Sequence, residues 1–107
     1  AQRAAIVSNE KVYSIYGERV AESFRSSGFE SSVHLIGDGE RHKNIRTAAK
    51  LLDSFGAARI GRTDVVVALG GGVVGDVAGF AAALHLRGVR LVQIPTTLLA
   101  MIDSSVG

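Results

Sequence analysis

Cysteine is absent from the 107 residues, which excludes a disulfide framework and any thiolate metal site. A reducing cytosol suits such a chain, and the cytoplasm is its expected location. The three histidines, His34, His42 and His85, fall in separate segments without His-x-x-x-His spacing, so no metal centre is expected within the chain. Charge of one sign is also scarce. The formal balance is only +2, and the basic residues are scattered, so a nucleic-acid partner is not expected. Arg3 is followed only by the short apolar run Ala4 to Val7 and then polar residues, so a secretory leader is not expected. No repeat, low-complexity tract or linker interrupts the chain. The long apolar stretch Val65 to Leu86 could span a bilayer by length, but it contains five glycines and Asp76. A buried βα unit gives the same apolar average, so no membrane partner is expected.

What is present describes one small globular domain, with 47% hydrophobic and 21% charged residues. Ala4 to Val7 reads as a buried strand. Tyr13, Tyr16, Val20 and Phe24 then recur at helical spacing, and Gly28 stands at the C-terminal stop. Ser32 to Ile36 reads as a second strand, closed by Gly37, Asp38 and Gly39, with a loop after it. Asn44 is a good N-cap for a helix whose buried face is expected to carry Ile45, Ala48, Ala49, Leu52 and Phe55, with Gly56 at its end. Val65 to Leu69 is an unbroken, largely β-branched run of the kind found in a central parallel strand. Val74 to Leu86 is of helical length, with small residues that allow close packing, and is expected to be largely buried. Leu91 to Ile94 supplies a fourth strand, and Pro95, Thr96 and Thr97 open another helix running through Leu98 to Val106. Strands alternating with helices predict an α/β fold with a doubly wound, mainly parallel sheet.

Between the third strand and its helix, Gly70-Gly71-Gly72-Val73-Val74-Gly75-Asp76 satisfies G-x-G-x-x-G. Glycines there let backbone N–H groups and the helix dipole face a pyrophosphate. A turn that merely packs helix on strand fits the same pattern. The usual fingerprint also wants an acidic residue about 20 positions onward for the ribose hydroxyls; Gln93, Pro95 and Thr96 occupy that region. A dinucleotide's ribose would therefore be held elsewhere. Asp38, Gly39, Glu40, Arg41, His42 and Lys43 are the candidates, because they follow an earlier strand and offer a carboxylate and an ammonium for hydroxyls. A solvated charged turn is the plainer reading. Thr96 and Thr97 either present hydroxyls to a ligand or cap a helix. Arg87 is either a helix-end cation or an anion contact.

Taken in order, Asp38-Gly39-Glu40 with Lys43, ALGGGVVGDVAGFAAA from Ala68, Leu86-Arg87-Gly88 and QIPTTLLAMIDSSVG from Gln93 resemble the 3-dehydroquinate synthase family, part of the sugar phosphate cyclases. The resemblance implies a Rossmann-like NAD-binding domain over residues 1–107. It also implies a carbon–oxygen lyase in the full-length parent, converting 3-deoxy-D-arabino-heptulosonate 7-phosphate to 3-dehydroquinate and phosphate in the shikimate pathway. Asn9, Asp38 to Lys43, Gly71, Gly72, Val73, Val74, Gly75, Asp76, Thr96 and Thr97 match the family's NAD contacts. Arg87 and Asp103 match substrate-facing positions.

The family's metal ligands, for zinc or cobalt, belong to a helical second domain outside this sequence. No catalytic residue and no metal ligand is therefore expected here, and the chain by itself should be inactive. The parent is expected to be a homodimer. Ser8-Asn9-Glu10 replaces the aspartate that many relatives carry after the first strand. Related cyclases and metal-dependent polyol dehydrogenases share the architecture, and a non-catalytic NAD-binding module is the reading outside enzymes. Leu98 to Ile102 and the helix from Val74 are expected to carry apolar faces meant for the second domain.

Overall fold

Every residue of Val65–Leu69 is buried, because this strand lies inside a sheet covered on both faces. A computed structural model describes residues 2–106, with the side chains of Asp103, Ser105 and Val106 outside the described set. Four strands, β1 (Gln2–Asn9), β2 (Phe29–Ile36), β3 (Val65–Leu69) and β4 (Arg90–Ile94), form one sheet in the order β2-β1-β3-β4. All three pairings are parallel.

β1 and β3 carry alternate side chains to opposite faces, as the pleat requires. Ala5, Val7, Val66 and Ala68 pack against Leu51 and Phe55 of α3 (Ile45–Ala57) and Val74, Val77, Ala78 and Ala81 of α4 (Gly72–Leu84). Ala4, Ile6, Val65 and Val67 pack instead against Val20 and Ala21 of α2 (Glu18–Ser26), with Leu99 of α5 (Thr96–Val106) nearby. Helices thus cover both faces, and the fold is the expected doubly wound α/β sheet. β1 connects towards β2 on one side while β3 lies on its other side. The carboxyl ends of β1 and β3 consequently flank the switch point where such sheets hold ligands.

Several boundaries differ from the sequence reading, each for a local reason. β1 and β2 are longer because polar residues at their starts join the parallel ladder, Gln2 opposite Phe29 and Arg3 opposite Glu30. The first helix is composite: α1 (Glu10–Val12), a π-helical turn over Tyr13–Gly17, then α2. Gly17 is buried there, with the Tyr13 ring lying where a Cβ would go. In α3 the buried residues are Ala48, Leu51 and Phe55. Ile45 is instead 77% exposed, facing a groove beside Phe80, and Ala49 is exposed. The helix after β3 stops at Leu84, earlier than expected, because Leu86 and Arg87 take positive φ values of 50° and 66° that no α-helix accommodates.

α4 is buried through Val74, Val77, Ala78, Ala81 and Ala82, yet Phe80 and Leu84 remain about half exposed, as do Leu98 and Ile102 of α5. Among the described residues no helix is long and apolar enough to cross a membrane.

Candidate functional site

The bend after β3 begins at a peptide group held on both sides. The Leu69 carbonyl accepts a 2.7 Å hydrogen bond from the buried Ser8 hydroxyl of β1. The adjoining Gly70 N–H donates to the Ile94 carbonyl of β4 at 3.2 Å. Gly70 then turns the chain with φ of +153°, and a Cβ there would lie 3.0 Å from Val74 Cγ2. The φ strains any residue with a side chain, and a Cβ would in addition press Val74 aside.

Gly71 is the N-cap of α4 and offers no side-chain cap. The Gly75 N–H donates to the Gly71 carbonyl at 3.0 Å. The preceding amides of Gly72, Val73 and Val74 are therefore the first-turn donors that a helix leaves without an intrahelical partner. A Cβ built at Gly71 or Gly72 meets nothing within 4 Å, so the bend is open and not filled by the protein's own side chains. An anion can approach these donors along the helix dipole. Gly75, whose amide is already used, stands beside β4: a Cβ there would make ordinary contact with Gln93 Oε1 at 3.4 Å.

Asn9 ends β1 beside this bend and is 8% exposed. Its Oδ1 accepts from Val12 N–H at 2.9 Å, capping α1, and its Nδ2 lies 3.5 Å from Asp38 Oδ1. The residue thereby joins the loop after β2 to the end of β1. In that loop Glu40–His42 form a 3-10 turn, and Lys43 reaches across to α4, with Nζ 2.9 Å from Asp76 Oδ2. The Asp76 carboxylate, as hydrogen-bond acceptor and as charge, and then Glu40, raise the Lys43 pKa above its ordinary value. Both partners are about half exposed, so the pair contributes position more than stability.

His42 turns the other way. Its ring sits against Gly37, accepts from Arg41 Nε at 3.2 Å, and lines a cavity of about 210 Å3 with His34, Thr47 and Lys50. His34, bonded through Nε2 to the Ser32 hydroxyl at 2.8 Å, is held below its usual pKa by burial. Asn44 fixes the loop to α3 by accepting from Thr47 N–H at 2.9 Å and donating to the Arg41 carbonyl at 2.7 Å. Beside the Lys43 and Asp76 pair, Ile45, Ala48, Val77 and Phe80 line a groove of about 320 Å3.

Thr96, half-buried, and Thr97, exposed, follow the carboxyl end of β4, on the same edge of the sheet as the bend. The structure thus brings Asn9, Asp38, Lys43, the glycine bend, Asp76 and the two threonines to one edge. Arg87 is elsewhere. α4 begins at the bend and runs 13 residues away from it, about 20 Å at the helical rise, so Arg87 lies with Arg62 and Leu86 at the opposite edge. The Asp103 side chain lies outside the described residues. Among those residues no group of three or more His, Asp or Glu is placed to hold a metal. Two features were not read from sequence: the Lys43 and Asp76 pair, whose partners are distant in the chain, and Ser8, whose only signal was a hydroxyl closing a buried apolar run.

Comparisons with known proteins point to one family. Residues 33–107 match the family model described as 3-dehydroquinate synthase N-terminal. A 3-dehydroquinate synthase from Pelotomaculum thermopropionicum is 54% identical, over 99% of this chain and 29% of the relative's length. The chain therefore spans under a third of such relatives. Among solved structures, a 2-deoxy-scyllo-inosose synthase complexed with carbaglucose-6-phosphate, NAD+ and Co2+ superposes with a TM-score of 0.83 at 29% identity, covering 89% of this chain and 26% of that one. A 2-epi-5-epi-valiolone synthase from Streptomyces hygroscopicus, with NAD+ and Zn2+ bound, gives 0.78 at 35% identity, covering 95% and 28%.

Proposed function

Because the chain belongs to the 3-dehydroquinate synthase N-terminal family, we propose that it is the NAD-binding portion of a 3-dehydroquinate synthase, a carbon–oxygen lyase. The observation that carries this reading is the open bend at Gly71 and Gly72, where an added Cβ would meet nothing within 4 Å, at the head of α4 and the sheet's switch point. Two structural neighbours hold NAD+, which supports the same ligand here.

Bound NAD would supply hydride removal and return at a hydroxyl of a sugar phosphate, 3-deoxy-D-arabino-heptulosonate 7-phosphate. This chain's residues would bind and orient it. The Gly72 and Val73 amides would donate to the pyrophosphate. Glu40 would accept from ribose hydroxyls and Lys43 would donate to them, with Asp76 holding Lys43 in place. Thr96 and Thr97 would add hydroxyls from the β4 side, while Asn9 and Asp38 would set the distance between the two loops. Arg41 and His42, aimed away from Asp76, would border the adenosine end at most. Arg87 and Asp103 retain their proposed substrate roles. From the opposite edge, Arg87 would meet only an anion arriving there.

The zinc or cobalt of the longer protein would be bound by residues outside this sequence. The whole protein would act in the cytoplasm as a homodimer. Calorimetric titration with NAD tests the reading directly. Glu40→Ala is expected to weaken binding by about tenfold, the effect of losing one hydrogen bond to a charged acceptor. Unchanged affinity would remove the acidic loop from the ribose role.

A further inference from the structure

The peptide that joins Leu69 to Gly70 is the last one in the sheet before the bend, and both of its polar atoms are engaged. Its N–H is held by β4 through Ile94 at 3.2 Å. Its carbonyl is held by β1, though not through the paired residues of the ladder, which stop at Val7 opposite Ala68. The Ser8 hydroxyl takes over at 2.7 Å. Ser8 is fully buried, so water does not compete for this bond and the hydroxyl has little freedom to turn elsewhere.

Fixing that peptide plane fixes where Gly70 starts. From Gly70 the chain has little latitude, because the residue packs directly against Val74, itself buried in the core. The amides of Gly71, Gly72 and Val73 lie between these two anchored points. They carry no side-chain cap that could orient them independently.

We propose that Ser8 is a positioning residue, which aims the bend's amides by clamping the Leu69 carbonyl from the neighbouring strand. As a contribution to ligand binding, this rests on the dinucleotide reading above. The hydroxyl matters and the bulk does not, so threonine can replace serine while the nearly isosteric valine cannot.

The test uses the whole chain with Ser8→Thr, Ser8→Val and Ser8→Ala. Urea unfolding identifies the folded variants. Amide NMR spectra are recorded without ligand, and NAD is then titrated by calorimetry. Ser8→Thr should keep the Gly70 to Val73 resonances near their wild-type positions and the affinity within about twofold. Ser8→Val should displace those resonances while leaving Val65 to Val67 unmoved, and should weaken NAD by about tenfold.

Identical bend spectra for the threonine and valine variants would overturn the inference, as would displaced spectra with unchanged affinity. If added bulk prevents folding, Ser8→Ala against wild type decides by the same two readouts. A wild-type chain that takes up no NAD would end the dinucleotide reading alone, and the ligand-free spectra would still decide on Ser8.

Discussion

Gly72→Ala should stabilise the fold and abolish useful NAD binding at the same time. Gly72 is the first residue of α4, does not use positive φ, and has room for a Cβ. Replacing glycine by alanine in a helix at such a position reduces the entropy lost on folding, by up to about 1 kcal/mol. For a domain of this size that is a rise of a few degrees in the unfolding temperature. The same methyl group would occupy the space through which a pyrophosphate must approach the Gly72 and Val73 amides. Charge-assisted bonds to phosphate need about 2.7–2.9 Å, and a methyl held over the donors denies that distance. Affinity should fall by about 100-fold or more, equivalent to about 2.7 kcal/mol. Opposite signs on stability and binding separate this effect from misfolding. Calorimetry and thermal unfolding of one preparation measure both, and affinity within about threefold of wild type would show that no ligand passes over the bend.

The largest effect on stability is expected at Phe55. Its side chain is fully buried and lies edge-on between two imidazoles, with ring centroids 5.3 Å from His34 and 5.5 Å from His85. It joins α3 to β2 and to the turn after α4, where His85 Nε2 is bonded to the Ile60 carbonyl at 2.7 Å. Phe55→Ala removes this ring and leaves a cavity, at a cost of about 3–5 kcal/mol. A small domain has only about 5–15 kcal/mol in total, so the variant should unfold at markedly lower urea. Phe55→Leu, which keeps most of the volume, should lose much less. The consequence reaches the site because α3 carries Asn44, whose bonds to Arg41 and Thr47 hold the loop bearing Lys43. A loss below about 1 kcal/mol for Phe55→Ala would mean that α3 is anchored by something else.

Much of this architecture can be read along the chain because local and tertiary preferences agree. Val65 to Leu69 followed by glycines admits little besides a central strand entering a tight bend, and that is where both lie. Asn44 caps its helix as its residue type predicts. Gly28 follows the first helical segment with φ of +93°, the backbone geometry of a helix stop. The failures occur where pairing in space overrides residue character. Gln2 and Arg3, or Glu30 and Ser31, have no strand signature alone, yet they pair across a parallel ladder. Ile45 has the apolar character of a core residue but lines an open groove with Phe80.

At the site, the sequence marks the glycines and the charged loop as two separate candidates, and only the fold joins them. Lys43 meets Asp76 because β2 and β3 flank β1. Nothing in the spacing separates Lys43, which reaches α4, from His42 beside it, which turns into the cavity under β2. Arg87 illustrates the converse: near the glycine segment in sequence, it is carried to the far edge by the length of α4.

On the reading proposed above, the amides opening α4 receive the phosphates of a dinucleotide. NAD titrated into the nitrogen-15-labelled chain and followed by amide NMR decides the matter. Saturable shifts should concentrate at Gly71, Gly72 and Val73, with smaller ones at Glu40 and Lys43. Saturable shifts that bypass those three residues, or no shifts at millimolar NAD, would rule out phosphate binding at the bend.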